Sequence, residues 1–584
     1  DQFVLEQLAG DELEGSSAET QIATTFLRLG TWDDEPAEFT RDRYEQLDDM
    51  LSATATVFLG LTLRCARCHD HKFEPLTQRD YYQTLAVFEP LKRPQEVVSA
   101  THRKEFDRLV GTEQELRAYH DATQQVDAQV AAVKEKLTPL ETTIRERLFA
   151  ATDDSTKTAL SPEAVAAFRE TPDKRSAEQK KLVEKFGETL DKEITRTTTV
   201  EERVEREGLM RQIAEFNAAR PKEPPRAYIW YEDTPQVPET RILKRGDPDQ
   251  PLEAVLPAVP AVLAAQPHEP PQPAAKSTGR RLWVARWMIR PDHPLTARVM
   301  VNRIWQHHFG EGLVATENDF GVAGETPSHP ELLDWLAAEF VASGWRLKPL
   351  HRMLVLSATY QQAAANESAA QRAADVDPTN RLLWRWRQTR AEAEVVRDSI
   401  LAVSGQLNAQ MSGPSVFPPI ARAVLEGQSK PGDGWQTSEP SQAARRSIYI
   451  FVKRSLALPE LEIMDSPDTT SSCEQRAVST VAPQALTFLN GEFVRQQARH
   501  FAARLIAEAG ADRRAQVERA FKLALCRLPR PEEREAAADF LLAQQRQIES
   551  DARAANQEPC DAAQKAMEAL CLVLLNANEF VYVD

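Results

Sequence analysis

Residues 46–63 read Gln-Leu-Asp-Asp-Met-Leu-Ser-Ala-Thr-Ala-Thr-Val-Phe-Leu-Gly-Leu-Thr-Leu and run straight into Arg64-Cys65-Ala66-Arg67-Cys68-His69-Asp70-His71-Lys72-Phe73-Glu74-Pro75. Apolar residues in the first part are dense enough for a buried helix. Pro75 and the polar run Thr77-Gln78-Arg79-Asp80 close the element, and Tyr81 to Phe88 reads as a further helix. The cysteine pair therefore falls near a helix end, beside aromatics.

Cys65-Ala66-Arg67-Cys68-His69 has the C-x-x-C-H spacing that attaches a c-type haem. Thiols three residues apart reach the two vinyl groups of one porphyrin edge, and the adjacent imidazole, His69, swings onto the iron. With 6 Cys and 11 His in 584 residues, chance placement yields the motif in about one such chain per thousand. Three other readings stand beside it. Zinc on Cys65, Cys68, His69 and His71 lacks the second ligand pair of a structural site. A thioredoxin-like dithiol would open a helix in a βαβ unit, whereas a helix precedes this pair. Two cysteines without a role are the third. Covalent haem is the reading we carry, with His71, too close to His69 to reach the opposite face of the iron, as an outer or propionate contact. Met50, His102 or a histidine of the C-terminal part is left for the sixth position. An empty sixth position would favour an enzyme over a cytochrome.

A length of 584 residues implies about three or four domains. The 42% hydrophobic and 27% charged content is that of a globular protein. The 71 basic and 88 acidic residues leave a net charge of -17, which repels polyphosphate and argues against a nucleic-acid partner. No apolar run approaches the roughly 20 residues of a membrane span. Asp1 to Asp11 already repeats apolar residues at helical spacing, without a leader, so the chain reads as starting in mid-domain. Six cysteines are too few for a disulfide framework, and Cys473, Cys526, Cys560 and Cys571 read as unpaired thiols.

The expected fold is mainly α, in four parts. Residues 1–95 are a helical segment with the haem motif. Residues 96–220 are a long helical hairpin or coiled-coil insertion, with Val126, Val130, Val133, Leu137, Leu140, Ile144 and Leu148 at steps of three and four. A return arm carries Leu182, Val183, Phe186, Leu190 and Ile194, then Val200, Val204, Leu209, Ile213 and Phe216, while Pro139 and Pro172 argue against one long rod. Residues 221–278 hold a small β element, Ala227 to Tyr231 and Thr240 to Lys244, and a Pro-rich linker. Residues 279–584 form a large helical domain, with helices expected at Trp283 to Ile289, Thr296 to Phe309, Pro330 to Ala342, Leu347 to Gln362, Ala391 to Gly405, Ala482 to Ala509 and Arg513 to Leu528. Trp287, Trp305, Phe309 and Trp335 are expected to wall the haem.

A second constellation lies in this last part. On a helix, Arg298 and Asn302 share a face, as do Arg303 and His307. With Asp319 and His329 in the following loops they offer a polar pocket for an anionic or hydroxylated ligand, or else tie those loops to the helix. Glu392, Glu394, Arg397 and Asp398 read as surface charges.

At these residues the chain resembles the planctomycete-specific cytochrome-like family fused to the planctomycete-specific domain. The resemblance rests on Asp1 to Asp11, Arg28 to Glu35, Phe58 to Thr62 and Cys65 to Pro75. It resumes at Pro294 to Gly310, Asp319-Phe320-Gly321, Pro327 to Leu336, Leu356 to Tyr360, Arg445 to Tyr449 and Pro483 to Leu486. It implies an exported, periplasmic protein with covalent haem, often found beside polysaccharide-degrading enzymes. Two functions follow: electron transfer with a redox partner protein, or a haem-dependent enzyme acting on a polysaccharide-derived substrate, with Arg298, Asn302, His307 and Asp319 as its pocket.

Overall fold

The computed structural model describes all residues except 31–32, 34–35, 94–106, 152–157, 172–173, 237–238, 265–270, 272, 365–369, 429, 454, 469–472, 474–475, 557–560 and 584. His102, Pro172, Cys560 and part of the Pro-rich linker thus lie outside the described residues. Among the described residues the fold is mainly α, with three antiparallel two-stranded pairs among many helices. The chain divides into two compact units: Asp1–Val4, Leu29–Leu91 and Glu232–Asp584 form one, and Leu5–Arg28 with Lys92–Tyr231 forms the other. Residues 5–28 therefore cluster with the helical insertion.

In the second unit, Thr112 and Glu115 form a capping box that starts a 38-residue helix, Glu113–Ala150. Ala177–Thr197 and Val200–Ala218 pack back along it. Its stripe Val126, Val130 and Val133 is buried, and Ile144 and Leu148 join Leu160, Phe168, Leu190 and Ile194 in one core. Two expectations are corrected. Pro139 sits inside an unbroken helix, its missing N–H outweighed by packing on both sides of it. Val200 and Val204 are exposed, so the return arm buries less than its spacing implied. The Gln21 side-chain amide bonds both the N–H and the carbonyl of Gly111, tying residues 5–28 to the start of the long helix. Of the expected strand at Ala227 to Tyr231, Arg226–Ala227 pairs with Arg108–Leu109, and Tyr231 bridges Lys92.

In the first unit, the Phe39–Thr54 helix continues into a π-helical turn, Ala55–Leu59, that ends on Gly60 in the left-handed region. Leu47, Met50, Leu51, Phe58 and Leu59 face inward, as do Tyr81, Tyr82 and Leu85 of the Gln78–Leu85 helix. Met50 is only 4% exposed and lies in this core. A hairpin of Thr240–Leu243 and Pro251–Val255 lies beside Gln78–Leu85, which Thr77 and Asp80 cap reciprocally.

The helices Thr296–Phe309 and Pro330–Ala342 form where the sequence placed them. With Leu347–Val355 they share a core of Trp305, Phe309, Leu333, Leu336, Phe340, Leu350 and Leu354. Trp305 and Phe309 are therefore core, Trp287 is buried, and Trp335 is 54% exposed, so the aromatic wall expected of these four is not formed. Leu347–Val355 stops early because the Ser357 hydroxyl accepts the Tyr360 N–H and donates to the Leu354 carbonyl. Gly491 in an extended conformation splits the helix expected at Ala482 to Ala509 into Ala482–Asn490 and Glu492–Ala509. A second core joins Ala393–Ser404, Glu492–Ala509, Arg513–Ala524, Pro531–Ala554 and Ala562–Leu575 around Phe501, Leu505, Phe521 and Leu574. Each such large side chain contributes about 1.5–3 kcal/mol on burial.

His293 starts the Thr296–Phe309 helix. Its Nδ1 accepts from Thr296 N (3.3 Å), so the proton sits on the buried Nε2, and the ring stands edge-on to Trp287 at 4.6 Å. Burial pushes its pKa down to about 4. The unfolded chain, with His near 6.5, binds the proton first, so this contribution is complete above pH 6.5 and is lost as pH falls toward 4. The loss is about 3 kcal/mol. Denaturant titrations from pH 7 to 4.5 should show a steeper fall for the wild type than for His293→Asn, which keeps a capping oxygen. Parallel curves would contradict the assignment.

Candidate functional site

Leu63–Arg67 is a 3-10 turn in which Leu63 and Ala66 point inward, while Cys65, Cys68 and His69 are exposed. Cys65 lies within the turn and Cys68 caps its C-terminal end, and both carry free, exposed thiols. His69 Nδ1 lies 2.7 Å from the Asp70 carbonyl. A carbonyl only accepts, so Nδ1 holds the proton and Nε2 keeps its lone pair for a metal. The Cys68 Sγ abuts the hairpin end, where a Cβ on Gly246 would stand 3.1 Å away.

The turn is anchored from below. Arg67 makes a two-pronged contact with Glu45 (2.8 and 3.0 Å) and a bond of 3.3 Å to Asp48. Asp48, 0% exposed, also accepts from Tyr81 Oη (2.6 Å) and pairs with Arg64 (3.0 Å). Burial, and then the adjacent Asp48 carboxylate, push the Tyr81 hydroxyl far above its usual pKa, which keeps it a donor. The Arg67 carbonyl accepts from Tyr82 Oη and from Gln78 Nε2, which also reaches the Leu243 carbonyl.

Beyond the turn, both ring nitrogens of His71 are engaged by the protein. Nδ1 accepts from the N–H groups of Phe73 (3.2 Å) and Glu74 (2.9 Å), which leaves Nε2 to donate to Thr62 Oγ1 (3.3 Å). It is a strut inside the motif loop. Sequence reasoning missed Glu74. Its buried carboxylate accepts from Val322 N (2.9 Å) and Ala323 N (3.1 Å). Two more bonds join the same regions: Phe320 N to the Gly60 carbonyl (2.8 Å), and Arg303 to the Thr56 carbonyl (3.1 Å) and Asn318 Oδ1 (2.6 Å).

The second constellation is structural. Arg298 bonds Asp334 and the Pro294 carbonyl. Asn302 is fully buried and exchanges two hydrogen bonds with the backbone of Val314 (2.9 and 2.8 Å). Asp319 Oδ1 accepts from Gly321 N within its own loop, His307 is exposed, and His329 bonds Ser328. Of the two readings the sequence left open, these bonds agree with the one in which the residues tie loops to the helix, since Arg298, Asn302 and Asp319 are each committed to different backbone or side-chain partners. Arg397, expected at the surface, is buried and donates to the carbonyls of Ala443 and Arg445, while Asp398 accepts from Ser447 N. Cys473 and Cys526 are exposed, and Cys571 is buried.

Residues 1–93 match the family PSCyt2, described as a protein of unknown function (DUF1549), and residues 280–541 match PSD1, described as a protein of unknown function (DUF1553). No curated protein and no solved structure matches the chain. Among the described residues, no helix is long and apolar enough to cross a membrane.

The anchor under the turn makes a stability prediction. Asp48→Ala leaves Arg67 with one fewer acceptor and strands the buried Tyr81 hydroxyl, and should cost about 3–5 kcal/mol in denaturant unfolding. A loss below about 1 kcal/mol, the range of an exposed pair, would show that the network does not anchor the turn.

Proposed function

We propose that this chain, a fusion of the PSCyt2 and PSD1 families, binds one haem covalently and passes electrons to or from a partner protein outside the cytoplasm. The observation that carries the reading is the turn itself: two exposed thiols three residues apart, one in the 3-10 turn and one at its C-cap, beside an imidazole whose Nε2 is left free by the Nδ1 bond to the Asp70 carbonyl. Cys65 and Cys68 would each add S–H across a vinyl double bond, carbon–sulfur bonds forming and the protons passing to the neighbouring vinyl carbons, with no oxidant required. His69 Nε2 would be the axial ligand, and the Asp70 carbonyl would fix its tautomer and raise its basicity. Phe73, 58% exposed beside the motif, and Val322 on the adjoining loop supply apolar surface for a porphyrin face. Bound haem supplies a one-electron couple.

Electron transfer is favoured over an enzyme because Arg298, Asn302 and Asp319 serve the fold and leave no assembled substrate pocket among the four candidates. The exposed turn offers a partner direct access to the haem edge. The periplasmic setting follows the family resemblance.

Co-expression with a c-type maturation system should give a red protein whose pyridine haemochrome is that of a c-type haem and whose colour survives acid-acetone extraction. Cys65→Ala with Cys68→Ala should lose the haem, and His69→Ala should keep it while changing its spin state. Resistance to cyanide and carbon monoxide is expected of the carrier, whereas ready binding of both would favour the enzyme. A colourless protein holding stoichiometric zinc would overturn the proposal.

A further inference from the structure

One short stretch of the PSD1 region grips the PSCyt2 motif at both ends. On the incoming side, Phe320 N donates to the Gly60 carbonyl at 2.8 Å. Gly60 has φ 60°, and a Cβ there would lie 2.7 Å from the Phe320 ring, so glycine is needed twice over. On the outgoing side, the Glu74 carboxylate sits on the N–H groups of Val322 and Ala323 so closely that a Cβ on Gly321 would meet its carbon and both oxygens at 2.4 Å.

Between these grips the His71 ring carries the connection inward. It bridges the Glu74 N–H to the Thr62 hydroxyl, and the Thr62 carbonyl accepts the Cys65 N–H at 3.3 Å. The His71 N–H in turn donates to the Leu76 carbonyl at 2.8 Å and closes the loop. A path of hydrogen bonds, joined through the covalent frames of Glu74, His71 and Thr62, thus runs from Val322 and Ala323 to Cys65. Arg303, bonded to the Thr56 carbonyl and to Asn318, braces the same loop against the preceding turn.

We infer that Asn318–Ala323 is a clamp, with Glu74 as the positioning residue, by which the PSD1 domain sets the orientation of the Cys65 to His69 turn and so the electronic environment of what His69 ligates. Only that last step rests on the haem reading; the clamp itself is a property of the polypeptide. A buried carboxylate held by backbone N–H groups does this well, because the donors are fixed in the backbone and leaving either side unpaired is costly.

Glu74→Gln tests the clamp by facing part of a carboxamide NH2 toward backbone donors, and Gly321→Ala tests it from the other side. Hydrogen exchange on the unloaded chain should show, in both variants, roughly tenfold faster exchange at the amides of Cys65 and His71 as well as at Val322 and Ala323. In the haem-loaded protein both variants should keep stoichiometric attached haem, yet shift its midpoint potential and axial-ligand spectrum. A merely local role would speed only Val322 and Ala323; that result, or an unchanged potential, overturns the inference. A chain that takes up no haem would refute the proposed function, while the exchange at Cys65 and His71 still decides the clamp.

Discussion

The Glu74 carboxylate, bonded to the backbone N–H groups of Val322 and Ala323, is the constraint on which the motif's geometry depends. Burying a carboxylate without partners is strongly unfavourable, and hydrogen bonds to a charged acceptor contribute about 1.5–3 kcal/mol each. The chain therefore has one economical arrangement: residues 71–76 curl over the 320–323 loop, and the Cys65 turn follows. Mobile lysines at the same place would tolerate many arrangements. Two fixed N–H groups tolerate one.

From below, the turn rests on buried Asp48 of the Phe39–Thr54 helix, which gathers Arg64, Arg67 and Tyr81. The two supports act on different parts of the motif. Asp48 fixes the backbone between the thiols through Arg67, and Glu74 fixes the loop after the imidazole. What remains exposed is the set with unsatisfied chemistry: two thiols and one imidazole nitrogen. Such a frame with exposed reactive groups at its rim is what the proposed haem attachment would require.

The sequence made part of this legible. The Cys65 to His69 spacing is legible as a motif because it is local, and Thr296–Phe309 was readable from its helical pattern. His71 and Glu74 were opaque for a physical reason: their roles are set by partners chosen in three dimensions, and Glu74 bonds residues about 248 positions away. Arg298, Asn302 and Asp319 looked like a ligand pocket because the polar side chains that recognise ligands are the same ones that tie loops to helices. Pro139 misled in the opposite sense, since local propensity counts against it and tertiary packing overrides that count. The family resemblance pointed to the PSCyt2 and PSD1 segments but not to the bonds that lock them together.

The most direct test of the central claim is the intact mass of the protein made with c-type maturation. Covalent attachment at this turn predicts a gain of one haem under denaturing conditions, mapped to the peptide holding Cys65 and Cys68 and absent when both are alanine. An unmodified mass, with both thiols open to alkylation in the folded protein, would contradict it.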